Sequence, residues 1–144
     1  MIEMKPMAAE HLPALAGLYE ELMEEPTRLD RLTAAFDAIE RDPRYILLGA
    51  FAAGELAGSI MGIVCQDLVG ECRPFMVIEN VIVSSRHQRM GIGKTLMSSI
   101  EAAARERECS YIILVSGARR KEAHRMYASL GYRDEPVEGY RKYL

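Results

Sequence analysis

The residues with the clearest chemical purpose form a basic loop punctuated by glycine, Arg86-His87-Gln88-Arg89-Met90-Gly91-Ile92-Gly93-Lys94. Apolar residues recur at helical spacing from Ile92 onward, so a helix is predicted to begin inside this loop. The start of a helix presents unpaired backbone N–H groups and the positive end of the helix dipole, which together attract a phosphate. Gly91 and Gly93 have no Cβ, so an anion can approach their backbone closely. The loop is therefore predicted to bind a phosphate group.

Two common phosphate-binding motifs overlap this loop, and counting positions excludes both. Gly93-Lys94-Thr95 matches the end of a P-loop, but that motif requires Gly where this chain has Gln88. A dinucleotide-binding fingerprint that began at Gly91 would require a third Gly where Leu96 stands. The loop therefore belongs to neither class.

The loop lies between a strand and a helix in a chain that contains both. The predicted strands are Ile2–Lys5, Tyr45–Ala53, Leu56–Cys65, Met76–Val83 and Tyr111–Val115, and the predicted helices are Ala9–Met23, Leu29–Glu40, Ile92–Arg107 and Arg119–Leu130. Gly54-Glu55 marks a hairpin turn, and Tyr132–Asp134 with Glu138–Tyr143 predict a second, terminal hairpin. This order predicts an α+β fold, a mixed α/β sandwich in which helices flank a mixed, mostly antiparallel sheet.

Length and composition indicate an ordinary globular chain. Its 144 residues suffice for one domain, predicted to span residues 1–144. The longest apolar run, Tyr45–Ala53, is too short to span a bilayer, so no membrane association and a cytoplasmic location are expected. The three cysteines lack CxxC spacing and the three histidines are scattered, so we predict reduced thiols and no metal site.

The charge is distributed unevenly along the chain. Residues 1–72 contain five Lys and Arg against thirteen Asp and Glu, whereas residues 73–144 contain thirteen against eight. This asymmetry has two readings of similar weight, an uneven scatter of solvated charges or a cationic acceptor in the first half with an anionic cofactor in the second. The same two readings apply to the acidic cluster Glu20, Glu21, Glu24 and Glu25. A net charge of −3 without basic and aromatic residues interleaved argues against nucleic acid.

Two motifs connect this chain to a known family. Gln88 to Gly93 fits the pattern Q/R-x-x-G-x-G/A directly after a strand, and Ala123 to Tyr132, AHRMYASLGY, fits A-x-x-x-Y-x-x-x-G-F/Y. Both motifs, and the order of elements around them, resemble the GNAT superfamily of N-acetyltransferases. The resemblance covers the whole chain. It implies a GNAT-like fold, acetyl-CoA as acyl donor, and direct transfer of the acetyl group to a primary amine.

The resemblance also implies which residues contact acetyl-CoA. Its diphosphate is expected on the backbone N–H groups from Arg89 to Lys94, and its pantetheine arm beside the main chain from Val81 to Val83. Many members have Asn where this chain has Arg120, which can donate a charge-assisted hydrogen bond instead. The predicted cofactor-binding residues are Val81, Ile82, Val83, Gln88, Arg89, Met90, Gly91, Ile92, Gly93, Lys94, Thr95 and Arg120.

Tyr127 and Glu79 are the predicted catalytic residues. Helical spacing alone predicts that Tyr127 is an aromatic side chain packed in the core. Its position in the second motif implies instead that it donates a proton to the departing thiolate. Glu79 is polar within an apolar strand, and it either faces a solvated gap between strands or acts on the amine. The demand on such a base depends on the acceptor, because neutralising a lysine-like amine at pH 7 costs ~4.6 kcal/mol and an α-amine only ~1 to 1.4 kcal/mol.

The sequence leaves the acceptor open between a small molecule and a protein or peptide. The alternative function is an acyl-CoA-binding regulatory module without turnover, and a third is a partner-binding domain in which the loop only caps a helix. A homodimer is common among similar proteins, although no exposed apolar stripe in this sequence establishes one.

Overall fold

The computed structural model describes residues 1–144. In chain order its regular elements are β1 (Ile2–Pro6), α1 (Leu12–Met23), α2 (Leu29–Glu40), β2 (Tyr45–Ala52), β3 (Glu55–Cys65), β4 (Phe75–Val83), α3 (Ile92–Glu106), β5 (Ile112–Leu114) and α4 (Lys121–Ser129). Short 3-10 turns occupy Ala9–His11 and Ser85–His87. The chain divides into two compact units, Met1–Ile113 and Leu114–Leu144, so the expectation of a single domain stays a prediction.

The order of elements from β1 to α4 confirms the predicted order, but the predicted terminal hairpin is wrong. No strand follows β5. Gly131 adopts a φ of 95° at the end of α4, its N–H donates to Ala128 O at 3.2 Å, and Tyr132 N–H donates to Tyr127 O at 3.1 Å. These bonds form a Schellman motif, which uses the residues that were expected to begin the strand.

The five strands form one sheet in the order β1-β2-β3-β4-β5, and the first four are antiparallel neighbours. The predicted hairpin between β2 and β3 is confirmed. Ala53 and Gly54 in its turn have φ values of 50° and 82°. Two consecutive positive φ angles are typical of the type I′ turn, whose twist matches that of the flanking strands.

One face of the sheet, here called the α3 face, is closed by helix α3. Gly58 and Gly62 of β3 point at this helix: a Cβ at Gly58 would lie 3.1 Å from Ile92 Cγ2, and one at Gly62 would lie 2.9 Å from Ile100 Cδ1. Isoleucines and leucine on α3 fill the space that the glycines leave, and Leu96 and Ile100 are 0% exposed. The glycines therefore set how closely α3 approaches the strands, and hence where the loop that precedes α3 lies.

The opposite face, here called the α1 face, carries α1 and α2. Its core cluster joins side chains of the two helices, of three strands and of the residue that follows β1, namely Leu12, Leu15, Leu18, Phe36, Phe51, Leu56, Ile82 and Met7. Ser59 is a fully buried polar residue on this face, and its hydroxyl donates to Leu48 O at 2.9 Å. The longest helix, α3, has 15 residues, and none of the helices has the length and apolar character needed to cross a membrane.

Candidate functional site

Strand β4 carries a bulge next to the predicted catalytic Glu79. Glu79 lies opposite Met61 and Ile82 lies opposite Ser59, so two residues of β4 between them face a single residue of β3. Asn80, within the bulge, has a φ of 55°, a left-handed value that Asn tolerates better than most residues. A bulge bends the strand and re-aims neighbouring side chains, and such features recur beside active sites.

The loop after β4 is held in shape by side chain to backbone hydrogen bonds. Ser84 Oγ accepts a hydrogen bond from Arg86 N–H at 3.3 Å, which caps the 3-10 turn. Gln88, the first residue of the predicted acyl-CoA motif, donates from Nε2 to Val83 O at 2.9 Å. Gln88 therefore ties the loop back to the end of the strand, and Arg89 follows in a left-handed conformation with a φ of 64°.

Gly91 is the residue that turns the loop into the helix. It is the N-cap of α3, its φ is 76°, and no side chain caps it. The first intrahelical bond is donated by Thr95 N–H to Gly91 O at 3.0 Å, so the N–H groups of Ile92, Gly93 and Lys94 precede the hydrogen-bonded ladder. A Cβ at Gly91 would meet nothing within 4 Å, so the space beside this residue is open. This arrangement is suited to an anion.

The predicted cofactor-binding side chains divide into exposed and buried groups. Arg89, Met90 and Lys94 are exposed, whereas Ile92 is 1% exposed and belongs to the core, so only its backbone is available to a ligand. Thr95 Oγ1 donates to Gly91 O at 3.0 Å and would have to rotate before it could donate to a phosphate. Val81, within the bulge, and Ile82, directly after it, are buried in β4.

Two acidic side chains from distant parts of the chain hold the loop, and sequence reasoning missed this role for both. Glu21 at the end of α1 accepts the Ser85 N–H on Oε2 at 3.1 Å. Glu55 in the β2–β3 hairpin forms an ion pair with Arg86. Arg86 is therefore engaged within the protein, and Arg89 and Lys94 are the cations of the loop that form no ion pair.

Glu79 lies on the α1 face, because Met76 and Ile78 face α3 and side chains alternate along β4. Its side chain is exposed and forms no ion pair or hydrogen bond within the protein. The Glu79 carboxylate is therefore solvated in the free protein, and its action on the amine stays a prediction.

In the unit formed by residues 114–144, Tyr127 is 5% exposed. Its ring centroid lies 6.2 Å from that of Tyr132 in an edge-to-face arrangement, which is the hydrophobic contact expected in a Schellman motif. The cap explains why Gly131 and Tyr132 belong to the second motif, but it does not use the Tyr127 hydroxyl. Burial raises the pKa of Tyr127, and the charge and hydrogen bond of Arg120 partly oppose this shift. The hydroxyl therefore stays protonated throughout the neutral range.

The fold matches those of several solved proteins. At a TM-score of 0.92 the chain aligns with a transcriptional regulator from Bacillus halodurans, with 22% identity over 100% of both chains. An acetyltransferase from Trypanosoma brucei gives a TM-score of 0.86 and 22% identity over 100% of both chains. The aminoglycoside N-acetyltransferase AAC(6')-Iy in complex with CoA gives a TM-score of 0.82 and 21% identity, over 99% of this chain and 95% of that one. Likeness at this level of identity shows a shared fold.

Membership of a family rests on the sequence match. The model of the acetyltransferase (GNAT) family matches residues 12–132, so this chain belongs to the GNAT family of acetyltransferases. The match includes both motifs and confirms the resemblance on which the sequence-based expectations depended. No curated protein matches the chain.

Proposed function

We propose that this acetyltransferase transfers an acetyl group from acetyl-CoA directly to a primary amine. The observation that supports this most strongly is the start of α3, where an uncapped, glycine-initiated helix follows a bulged strand. Acetyl-CoA supplies the activated acyl thioester and, through its diphosphate, the anion that such a helix start attracts.

The residues of the loop fit the diphosphate. The N–H groups from Arg89 to Lys94 lie at or before the start of the hydrogen-bonded helix, and Gly91 leaves space in front of them. Arg89 and Lys94 add positive charge that no acid of this chain neutralises. Thr95 and Arg120 remain proposed contacts, as do Met90, Ile92, Gly93 and the main chain from Val81 to Val83.

Glu79 is proposed to hold the acceptor amine. At neutral pH the amine arrives as an ammonium ion, and an exposed carboxylate without a partner attracts it. An α-amine loses its proton to water far more readily than a lysine-like amine, so for the first class Glu79 need only orient the amine, which attacks in its neutral form. The second class requires that Glu79 also accept a proton, directly or through water.

Tyr127 is proposed to donate the proton that the thiolate needs as it departs. A thiol has an ordinary pKa near 8.5 and a tyrosine near 10, and burial raises the pKa of Tyr127 further. Complete transfer to a free thiolate is therefore uphill by more than ~2 kcal/mol, so the hydroxyl acts first as a hydrogen-bond donor.

Direct transfer is preferred because no cysteine is suited to carry the acyl group. Cys72 is exposed in the β3–β4 loop, and Cys109 is half-buried with its pKa raised by that burial. A raised pKa lowers the fraction of thiolate, which is the nucleophilic form. Cys65 lies at the end of β3, far in sequence from both motifs.

The test is free-thiol release from acetyl-CoA in the presence of polyamines, aminoglycosides, amino acids, and peptides with free α-amines or lysines. Aminoglycosides are included because a similar structure belongs to an enzyme that acts on them. We expect thiol release that depends on the amine. Acetyl-CoA binding without such release by any amine would overturn the proposal in favour of a binding module without turnover.

A further inference from the structure

The α1 face of the sheet is covered by helices over only part of its area. Where α1 and α2 pack, its residues are buried, as Phe51, Leu56 and Ser59 show. Farther along the same strands the α1 face carries Tyr45, Met61, Ile63, Cys65, Phe75 and Val77, and every one of these side chains is partly exposed. We call these six residues the open strip.

On β3 and β4 the α3 face at the same positions is closed, so on these two strands the partial exposure belongs to the α1 face alone. On β2 the α3-face residues Ile46 and Leu48 are partly exposed as well. Ile60, Met76 and Ile78 lie on these same strands and point at α3, and none is more than 1% exposed. Val64 is 8% exposed. Apolar side chains left partly exposed on one face of these two strands are available to contact a ligand.

Glu79 is the charged residue at one end of the open strip. It lies directly opposite Met61, and Val77 and Phe75 follow it along β4 on the same face. At ~3.4 Å per residue the strip extends ~14 Å from Glu79 to Phe75. Phe75 stacks on Tyr111 with ring centroids 5.1 Å apart, so the far end is aromatic. Along β4 the surface thus offers one anionic group followed by the apolar side chains of Val77 and Phe75. Tyr45 and Cys65 bring a hydroxyl and a thiol to the other edge of the strip.

We infer that the preferred acceptor is an amphipathic primary amine, whose ammonium group contacts Glu79 while an apolar body covers the open strip. The negative charge of Glu79 favours a cationic head group, and the apolar side chains of the strip favour an apolar body attached to it. Polyamines and polyhydroxylated amines fit poorly, because they would place charged or hydroxyl groups against Val77 and Phe75, whose side chains offer no hydrogen-bonding group. This inference rests on the proposed function and names its substrate class.

The experiment compares straight-chain amines from ethylamine to octylamine, with phenethylamine, ethanolamine and spermidine as references. Turnover with acetyl-CoA is measured as kcat/KM, and the affinity of the CoA-bound protein for each amine is measured by calorimetry. Each methylene of the amine that leaves water completely raises the affinity about fourfold, and each one that is half covered raises it about twofold. We expect a rise of at least about tenfold from ethylamine to hexylamine, which levels off once the chain exceeds the strip.

Two substitutions at one position give matched variants. Val77→Thr keeps the shape and the β-branching but places a hydroxyl on the strip, whereas Val77→Ile keeps it apolar. We expect Val77→Thr to reduce the ratio of kcat/KM for hexylamine to kcat/KM for ethylamine at least about threefold. Val77→Ile should keep this ratio. Equal losses in both variants would overturn the assignment of the strip.

The two readouts separate this inference from the proposed function. Affinity that rises with chain length without turnover supports the strip and refutes the enzyme. Turnover that is flat along the series, or highest for spermidine or an aminoglycoside, refutes the strip and retains the enzyme. An absence of both turnover and affinity for every apolar amine overturns the inference.

Discussion

Replacing Gly91 by alanine separates the cost of backbone strain from the loss of a ligand contact. Gly91 has a φ of 76°, where an L-residue is disfavoured by ~1 to 2 kcal/mol. A Cβ there would meet nothing within 4 Å, so no clash within the protein adds to that strain. The free energy of unfolding should therefore fall by ~1 to 2 kcal/mol, and the variant should remain folded.

The affinity for CoA should fall much further. The new methyl group projects into the open space at the start of α3, where the diphosphate is proposed to meet the N–H groups. Each charge-assisted hydrogen bond lost costs ~1.5 to 3 kcal/mol, which corresponds to about ten- to a hundredfold in affinity. Gly91→Val, with a branched side chain, should abolish binding.

Gly70→Ala is the matched control. Gly70 has a φ of 62° in the β3–β4 loop, and a Cβ there also meets nothing within 4 Å. Urea unfolding should show similar losses of stability for Gly70→Ala and Gly91→Ala, while calorimetric titration with CoA should show a loss of affinity for Gly91→Ala alone. If both variants bound CoA as tightly as the wild type, the start of α3 would not be the diphosphate site.

Three further predictions concern residues that the structure defines. Tyr127→Phe keeps the edge contact with Tyr132 and should lower kcat at least about tenfold with unchanged acetyl-CoA affinity; an unchanged kcat would remove the hydroxyl from the mechanism. Burial raises the pKa of Tyr19 to about 12, so the stability that its neutral form contributes is complete below pH 10 and is lost as the pH rises towards 12. In urea unfolding across that interval the wild type should lose up to ~3 kcal/mol relative to Tyr19→Phe, and an equal pH dependence of the two proteins would contradict this. Gly58→Ala places a Cβ 2.9 Å from Ile82 O and should lower the free energy of unfolding by ~1 to 3 kcal/mol or more. The same change at Gly17, where a Cβ inside α1 meets nothing within 4 Å, should raise it by ~0.5 to 1 kcal/mol. Melting temperatures that moved in the same direction would refute the packing argument.

The elements that could be predicted from the sequence are those specified by local patterns. Apolar periodicity was sufficient for every helix and strand from β1 to α4, and the Gly54-Glu55 pair was sufficient for the β2–β3 hairpin. The failure at the C-terminus has a local cause as well. Gly131-Tyr132 reads as a turn followed by a strand, but the same two residues form the cap that ends α4.

The contacts that hold the site could not be predicted, because they join residues far apart in the chain. Glu21 and Ser85 are 64 residues apart, and Glu55 and Arg86 are 31 apart. The sequence shows only an acidic cluster and a basic loop, and nothing in either specifies which acid meets which backbone group. The bulge at Asn80 had one visible sign, a polar pair inside an apolar strand, and that sign is equally compatible with a side chain in solvent.

This difference explains why the acyl-donor site can be recognised in this chain and the acceptor cannot. The donor site consists of backbone N–H groups at a helix start, so it depends on a few glycines and on the close approach of α3 to Gly58 and Gly62. Those requirements leave a short motif in the sequence, Gln88 to Gly93. In the proposed acceptor site on the α1 face the contacts are made by side chains, so changes among the residues of the open strip should alter the acceptor without disturbing the sheet. Members of the acetyltransferase (GNAT) family are therefore expected to share the acyl donor and to differ in the amine, which is why the acceptor is inferred here from the open strip of this chain.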